Sequence, residues 1–292
     1  MLSHTPVLLD EVMQFLDPRR GGRFIDATLG GGGHARAILE RTSPDGRLLA
    51  IDQDAQAIAQ ARQALAGLES RFETVKGNFR DVFNIAVTHG FSQSDGVLAD
   101  IGVSSMMLDD ASRGFSFMRE GKLDMRMDQD QQMTAADVVN EFSEKEIADI
   151  LFTLGEERRS RAIASAIVRS RPLATTSDLV RAVQRVLGGP RYGHIHPATR
   201  TFQALRIYVN DELASLEAML DGAMHVVRPG GRLVVLTFHS LEDRIVKNRF
   251  RASAVPGRPL TKKVVVASDE ERRRNPRARS AKLRAWERSD GD

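Results

Sequence analysis

The sequence contains no cysteine among its 292 residues. This absence excludes disulfide bonds, thiolate nucleophiles and metal sites with cysteine ligands. It also suits a reducing compartment, and we therefore expect a cytoplasmic protein. The two close histidines His194 and His196 lack partner ligands at a recognisable spacing, so no metal site is predicted.

Long apolar runs are missing as well, since none approaches the ~20 residues that a membrane span requires. The segment from Met1 to Gln14 has no basic start followed by an apolar stretch, which argues against a signal peptide. Hydrophobic residues make up 41% of the chain and charged residues 28%. This balance predicts a packed core in one large domain or two ordinary ones, without a membrane partner.

The charge is unevenly distributed. Residues 244–288 contain 15 Lys and Arg against 4 Asp and Glu, a net charge of +11, so the rest of the chain carries −8 within the total of +3. A basic segment on an otherwise acidic protein suits a polyanionic partner such as nucleic acid. A solvated tail is the alternative.

The order of predicted elements indicates an α/β fold. Strand-like and helix-like segments alternate over the first hundred residues, which is typical of βαβ units with a parallel sheet. The predicted strands are 23–27, 46–52, 72–76 and 95–100, and the predicted helices are 35–41 and 55–65.

The pattern changes to helices and loops between about residues 105 and 196. Two helix starts are indicated by the capping boxes Thr134-x-x-Asp137 and Ser143-x-x-Glu146. We therefore predict a helical domain, 105–197, inserted into an α/β domain formed by 1–104 and 198–292. After the insertion, the apolar spacing predicts one long amphipathic helix over 202–220 and a buried strand over 232–238. Segments 262–267 and 281–287 are predicted to close the sheet edge as an antiparallel pair.

Four of the predicted strands end at residues suited to ligand binding. Open α/β sheets bind their ligands at the carboxyl ends of their strands. The first is followed by Asp26 and a turn containing Gly30, Gly31, Gly32 and Gly33, whose backbone can pass close to a ligand. The second ends at Asp52, which could accept both hydroxyls of a ribose. The third is followed by Asn78 and Phe79, and the fourth ends at Asp100.

Each of these features has a simpler explanation. The glycines also satisfy the loose dinucleotide pattern or a plain tight turn. Asp54 competes with Asp52 for the ribose, and Phe79 could belong to the core. The order of the features nevertheless predicts a nucleotide-like ligand. No second Gly-rich turn follows a strand in the right place, and the sequence has no P-loop. These two absences favour S-adenosylmethionine over a dinucleotide or a nucleoside triphosphate.

Several longer stretches resemble one family, in its order and over nearly the whole chain. This is the family of small-subunit ribosomal RNA methyltransferase H, also called the RsmH or MraW family. The matching stretches are HTPVLL (4–9), residues 26–34, DIGVSS (100–105), LDD (108–110), RGFSFM (113–118), LDMRM (123–127), GEER (155–158), HPATRTFQ (196–203), FHSLED (238–243) and NPRARS (275–280).

The resemblance implies a Rossmann-like class I methyltransferase sheet interrupted by a helical domain. It implies methyl transfer from S-adenosylmethionine to the N4 amine of a cytosine in the decoding (P-site) region of 16S rRNA. The implied partner is therefore 16S rRNA within the small ribosomal subunit; a homodimer is left open. By position, the donor-binding residues are Gly30, Gly32, Gly33, His34, Asp52, Phe79, Asp100 and Met107.

Position 107 departs from the family, which usually has Pro-Gln where this chain has Met106 and Met107. A thioether cannot form the hydrogen bonds of a glutamine amide. A contact between Met107 and the donor would therefore involve its backbone.

Two residues are predicted to be catalytic. Asp100 is the expected hydrogen-bond acceptor for the cytosine amine, which is a poor nucleophile because its lone pair is delocalised. His239 follows the late buried strand and could position the base. The alternative is that this segment only begins a helix, with Ser240 and Asp243 as its capping box.

The predicted contacts with RNA are His196, Arg200, Arg206, Arg277 and Arg279, although a solvated polar helix face would explain the first three equally well. Two other functions remain in competition. A DNA amino-methyltransferase usually has an acidic or Asn-Pro-Pro-aromatic string after the fourth strand, whereas this chain has Asp100-Ile-Gly-Val. A non-catalytic RNA-binding or ribosome-assembly factor would keep the fold without transferring a methyl group.

Overall fold

A computed structural model describes residues 6–290. His4 and Thr5 of the first family-like stretch lie outside the described residues. The helices are α1 (Leu9–Leu16), α2 (Gly33–Arg41), α3 (Ala55–Ala64), α4 (Val82–Thr88), α5 (Ser105–Asp109), α6 (Ala135–Glu141), α7 (Glu144–Gly155), α8 (Ser160–Arg169), α9 (Thr176–Leu187), α10 (Thr199–Val209), α11 (Glu212–Val226), α12 (Ser240–Arg251) and α13 (Asp269–Arg274). The strands are β1 (Arg23–Asp26), β2 (Arg47–Asp52), β3 (Phe72–Lys76), β4 (Ser94–Asp100), β5 (Val227–Thr237), β6 (Gly257–Pro259), β7 (Val265–Val266) and β8 (Lys282–Arg288).

The chain divides into two compact units. The first contains residues 1–102 and 213–292, and the second contains residues 103–212. The second unit therefore includes α10, which lies beyond the boundary expected at residue 197.

The first unit is built on one twisted sheet with the strand order β3-β2-β1-β4-β5-β8-β6, and β7 pairs with β8. Strands β1 to β5 are parallel, while β8 is antiparallel to β5 and to β6. The order 3-2-1-4-5 is that of a doubly wound Rossmann-like sheet. The α/β fold class predicted from the sequence is confirmed.

Both faces of this sheet are covered by helices, because its apolar strands alternate side chains between two cores. Phe24 and Leu48 pack on one face with residues of α1, α2 and α3. Ile25 and Leu49, one position later on each strand, pack on the other face with residues of α4, α11 and α12. The polar ends of the strands are thereby left at the sheet edge.

The second unit has a separate helical core. Apolar residues from α6 to α10 pack together, among them Val138, Ile147, Ile163, Leu179 and Leu205. Thr134 with Asp137 and Ser143 with Glu146 form the two capping boxes expected from the sequence.

One expectation about the later part of the chain is wrong, and another is confirmed only in part. The long helix predicted over 202–220 is interrupted, because Asp211 adopts a left-handed backbone conformation (φ 48°) between α10 and α11. The antiparallel pairing predicted between 262–267 and 281–287 is confirmed for β7 and β8. Only Val265–Val266 of the first segment is a strand, however, and β8 lies inside the sheet between β5 and β6 instead of at its edge. Among residues 6–290 there is no helix with the length and apolarity that crossing a membrane would require.

Candidate active site

The carboxyl ends of the parallel strands form the candidate site, which lies entirely within the first unit. Asp26, Asp52 and Asp100 are the last residues of β1, β2 and β4. Thr28 connects two of these ends, because its N–H donates to Asp26 Oδ1 (3.1 Å) and its Oγ1 accepts the N–H of Asp100 (2.6 Å). Three acidic side chains are thus held at one edge of the sheet.

The glycine turn is fastened to Asp52. Gly30 and Gly32 both have positive φ angles, 50° and 78°, which other residues rarely adopt. The Gly30 N–H donates to Asp52 Oδ2 (2.8 Å), and the Asp54 N–H donates to Asp52 Oδ1 (2.9 Å). Asp54, the competing acid, uses its own carboxylate to cap α3 by accepting the Gln56 N–H (2.9 Å).

The helix that follows the turn places His34 beside Asp100. Gly33 begins α2, and a Cβ at this position would overlap the ring of Pro6. His34 Nδ1 lies 3.7 Å from Asp100 Oδ2, and its Nε2 lies 3.0 Å from the carbonyl oxygen of Val7. The side chain of His34 is buried.

Asn78 and Phe79 follow β3, as expected. The Asn78 side chain accepts the N–H of Arg80 (3.0 Å) and donates to Gln53 Oε1 (3.2 Å). Phe79 is half-buried and packs against the core formed by α4 and α11, so its ring is in part a core side chain. Its remaining exposed surface can still serve as an apolar wall.

Burial makes the three strand-end carboxyls unusually weak acids. It raises the pKa of Asp26 to about 7, partly opposed by the hydrogen bond from the Thr28 N–H. Burial also raises the pKa of Asp52 to about 6, against the hydrogen bonds from the N–H groups of Asp54 and Gly30. The pKa of Asp100 rises to about 7 through burial and through the nearby charges of Asp26 and Glu242. A carboxyl of this kind can both accept and hold a proton near neutral pH.

Asp100 combines a buried atom with an open one. Its Oδ1 is buried and has no hydrogen-bond partner among the described residues, while 27% of the side chain remains exposed. A buried polar atom without a partner is costly unless a ligand or water satisfies it. Asp100 is therefore suited to bind a hydrogen-bond donor that enters from the open side.

His239 begins α12 and is held by Glu242. Its Nδ1 accepts the Glu242 N–H (3.4 Å), and its Nε2 lies 2.9 Å from Glu242 Oε1. Glu242 Oε2 in turn accepts the N–H groups of Phe238 (2.7 Å) and His239 (3.2 Å). The capping box expected from Ser240 and Asp243 is wrong by one residue, because Asp243 instead forms an ion pair with Arg284 (2.6 Å).

Two residues at this edge were not singled out from the sequence. Glu242 is fully buried, and its charge acts on Asp100. Its position three residues after a helix-starting residue is the pattern that could have identified it. Thr28 lies within the glycine stretch, but its bond to the Asp100 N–H depends on the pairing of β1 with β4 and could not be seen locally.

The remaining predicted site residues of the inserted region lie in the second unit. Met107 is buried in the helical core. His196 stacks on Phe117 with ring centroids 4.4 Å apart, and Arg200 donates to the Glu156 carbonyl oxygen (3.2 Å). Arg206 forms two hydrogen bonds with the Glu212 carboxylate (2.7 and 2.8 Å), an ion pair that is largely buried. Of these four, Arg200 is exposed, and His196 and Arg206 are half-buried.

The basic segment, residues 244–288, includes α13 and a short turn that follows this helix. Arg273, Arg274 and Arg279 are exposed, and Arg277 is half-buried. Arg274 pairs with Glu270 (3.0 Å), across one turn of α13. This surface offers guanidinium groups to an anionic partner.

The sheet order and its strand-end residues define a class of protein. A 3-2-1-4-5 parallel sheet with an antiparallel strand after β5, a glycine turn after β1 and an acidic end to β2 is the Rossmann-like fold of class I methyltransferases.

The family follows from comparison with known proteins. Residues 1–289 match the MraW methylase family, and the chain belongs to that family. Membership of a methylase family implies S-adenosylmethionine as the methyl donor.

Curated relatives of this chain share its whole length. A protein of Geobacter sulfurreducens is 51% identical, covering 98% of this chain and 98% of its own. One of Nostoc is 51% identical over 98% of this chain and 93% of its own, and one of Acidobacterium capsulatum is 49% identical over 97% and 98%. All three are called ribosomal RNA small subunit methyltransferase H. The resemblance found in the sequence is confirmed.

Proposed function

We propose that this protein methylates the exocyclic N4 of a cytosine in the decoding (P-site) region of 16S rRNA, in the cytoplasm. Its relatives at about half identity are named as small-subunit ribosomal RNA methyltransferases. The observation that supports the chemistry best is Asp100, a strand-end carboxyl with one buried oxygen that has no partner among the described residues. Such an oxygen suits the N–H of an amine.

The residues at the sheet edge fit S-adenosylmethionine. When bound, this donor supplies an electrophilic methyl group on a sulfonium. Asp52 retains acceptor capacity for a ribose hydroxyl, because its two carboxylate oxygens have four lone pairs and accept the N–H groups of Gly30, Gln53 and Asp54. A Cβ at Gly31 would have no heavy atom within 4 Å, so the turn leaves open space beside the backbone. We assign donor binding to Gly30, Gly32, Gly33, His34, Asp52, Phe79 and Asp100. Met107 is left out of this assignment, because its side chain is buried in the helical core of the second unit.

Asp100 has the central catalytic role in this proposal. Accepting a hydrogen bond from the amine draws electron density onto its nitrogen and aligns it for attack on the methyl carbon. A pKa near 7 lets the same carboxylate take the proton that the nitrogen releases. His239 positions the base through its ring edge, since its Nδ1 accepts the Glu242 N–H and its Nε2 is buried 2.9 Å from Glu242 Oε1.

The RNA contacts are assigned to basic side chains that are exposed or half-buried. Arg277 and Arg279 of the basic segment, with His196 and Arg200 of the second unit, are proposed to contact phosphates. Arg206 contributes indirectly at most, because its guanidinium is already bound to Glu212.

Nucleoside mass spectrometry of small-subunit RNA tests the proposal. RNA from cells that contain the protein should contain N4-methylcytosine in the decoding region, and RNA from cells without it should not. The purified protein should transfer a labelled methyl group to assembled subunits or free rRNA but not to duplex DNA. Asp100→Asn should lower that transfer at least 100-fold. Unchanged N4-methylcytosine in cells without the protein would refute the assignment.

A further inference from the structure

The contact between His34 and Asp100 has no role in the chemistry described so far. Asp100 is faced by Asp26 from β1, by Glu242 from α12 and by His34 from α2. Two of these neighbours are acids, and the third is an imidazole whose Nδ1 lies 3.7 Å from Asp100 Oδ2. Of the three, the imidazole is the group that can take a positive charge. A proton arriving on Asp100 therefore has a basic neighbour.

A hydrogen bond to the backbone determines which nitrogen of neutral His34 carries the proton, and it leaves a lone pair on the nitrogen that faces Asp100. Nε2 lies 3.0 Å from the Val7 carbonyl oxygen, which can only accept a hydrogen bond, so Nε2 carries the proton of the neutral ring. Nδ1 is then the basic nitrogen. Val7 is itself held in place, because the next residue, Leu8, donates its N–H to Glu271 Oε1 (2.7 Å).

The reaction requires an outlet for one proton. In amine methylation the nitrogen lone pair forms the new bond to carbon, and the carbon–sulfur electron pair stays on sulfur. The nitrogen then loses a proton and keeps the N–H electron pair. We propose that Asp100 receives this proton, that His34 accepts it from Asp100 at Nδ1, and that the proton returns to solvent through the open side of Asp100 once the product has left. This inference rests on the proposed function and makes His34 a positioning residue that acts through Asp100.

The distance of 3.7 Å is longer than a hydrogen bond, as is common for catalytic contacts that shorten when the substrate binds. The order of transfer also fits the surroundings. An uncharged Asp100 between Asp26 and Glu242 would keep its proton, whereas an imidazolium beside it favours the carboxylate that the next turnover needs.

The kinetic test uses His34→Gln in single-turnover transfer to small subunits that lack the modification, from pH 6 to 9. Glutamine can still donate to the Val7 carbonyl but cannot take up a proton. We expect a rate about 100-fold lower at pH 7, with the deficit shrinking as pH rises and solvent base replaces the imidazole. Any loss of donor affinity, measured by calorimetry, should be smaller than the loss of rate and should not follow its pH dependence. His89→Gln is the matched control, because His89 pairs with Glu73 (2.7 Å) away from the site.

A second test does not depend on activity. ¹⁵N spectra of histidine-labelled protein without RNA should show the Nε2–H form of neutral His34, assigned by its loss in His34→Gln. Asp100→Asn should move the Nδ1 resonance of His34 and leave that of His89 unchanged.

The outcomes separate the two claims. If wild-type protein transfers no methyl group to any small-subunit RNA, the proposed function fails and the inference falls with it. If wild-type protein is active, a deficit of His34→Gln that is equal at every pH and matches a loss of donor affinity overturns the proton transfer alone. An Nδ1–H form of neutral His34 overturns it as well.

Discussion

Asp26 is the most deeply buried of the three strand-end carboxyls, with 1% of its surface exposed. Its folded-state pKa of about 7 lies above the ordinary 3.8. Between these two values the folded protein binds more protons at Asp26 than the unfolded chain does. The stability contributed here is therefore present at low pH and falls as the pH rises through the window from about 4 to 7.

We expect Asp26→Asn to reduce this pH dependence. Asparagine keeps an oxygen that accepts the Thr28 N–H but cannot ionise. From pH 5 to pH 8 the wild-type protein should lose about 3 kcal/mol more unfolding free energy than the variant, at about 1.4 kcal/mol per pKa unit. Urea denaturation at both pH values measures this.

The control for Asp26 is Asp110→Asn, since Asp110 is exposed and its pKa is lowered by hydrogen bonds from Ser112. That variant should not reduce the loss of stability between pH 5 and 8. Parallel curves for wild type and Asp26→Asn would show that the carboxyl ionises freely in the folded protein.

At the scale of elements, the glycine turn between β1 and α2 needs its backbone freedom at one position in particular. Gly32 has a φ of 78°, and a Cβ there would lie 3.2 Å from Ala61 Cβ. Gly32→Ala should therefore cost about 1–2 kcal/mol of unfolding free energy.

Gly31→Ala is the matched change in the same turn. Its Cβ would enter open space without a positive φ, so stability should change by less than about 0.5 kcal/mol. If the donor occupies that space, the added methyl group should also weaken donor binding, measured by calorimetry. Equal destabilisation by both variants would contradict this account of the turn.

The start of α12 depends on Glu242, which accepts two backbone N–H groups. Glu242→Ala should lower the unfolding free energy by about 2 kcal/mol, because it leaves these donors without an acceptor. Glu242→Gln keeps an acceptor and removes the charge beside Asp100. It should cost less stability and lower the pKa of Asp100, moving the pH profile of methyl transfer to lower pH. A profile that stays in place would mean that the Glu242 charge does not reach Asp100.

Local sequence patterns predicted where the parallel strands end, but not where the helices after the insertion begin and end. Apolar runs followed by glycine or acid placed Asp26, Asp52 and Asp100 correctly at strand ends, because these patterns lie within a few residues. The break between α10 and α11 was not predictable in this way. Asn210 there accepts the Met127 N–H (2.7 Å) and donates to the Met125 carbonyl oxygen (2.8 Å), contacts across more than eighty residues that periodicity does not contain.

The candidate site shows the same limit. Its residue types follow from motifs, but the raised pKa of Asp100 comes from burial and from the charges of Asp26 and Glu242, which are distant in sequence and meet only when the sheet has formed. The cap by His239 was missed because serine and aspartate, one position later, are more usual capping residues.

At the scale of the whole molecule, the net charge of +11 between residues 244 and 288 predicts salt-sensitive binding to RNA. Replacing the exposed Arg273 and Arg279 with alanine should weaken binding to small subunits. If each contacts a phosphate, the slope of log affinity against log salt should fall by about 1.4–1.8. Filter binding from 50 to 300 mM salt measures it.

The control variant removes the same charge elsewhere, by replacing Arg20 and Arg41 with alanine. Both arginines are exposed and lie outside the basic segment. This pair removes the same charge and should leave the salt slope nearly unchanged. Equal effects of the two pairs would attribute binding to net charge alone.

The interior position of β8 affects how the chain is made. Residues 282–288 pair with β5 on one side and with β6 on the other, and Trp286 is completely buried. During synthesis, β5 therefore presents an unpaired edge until this stretch leaves the ribosomal exit tunnel. Exposed strand edges attract other chains. Until residues 282–288 have left the tunnel, that edge of the nascent polypeptide is open to pairing with other chains.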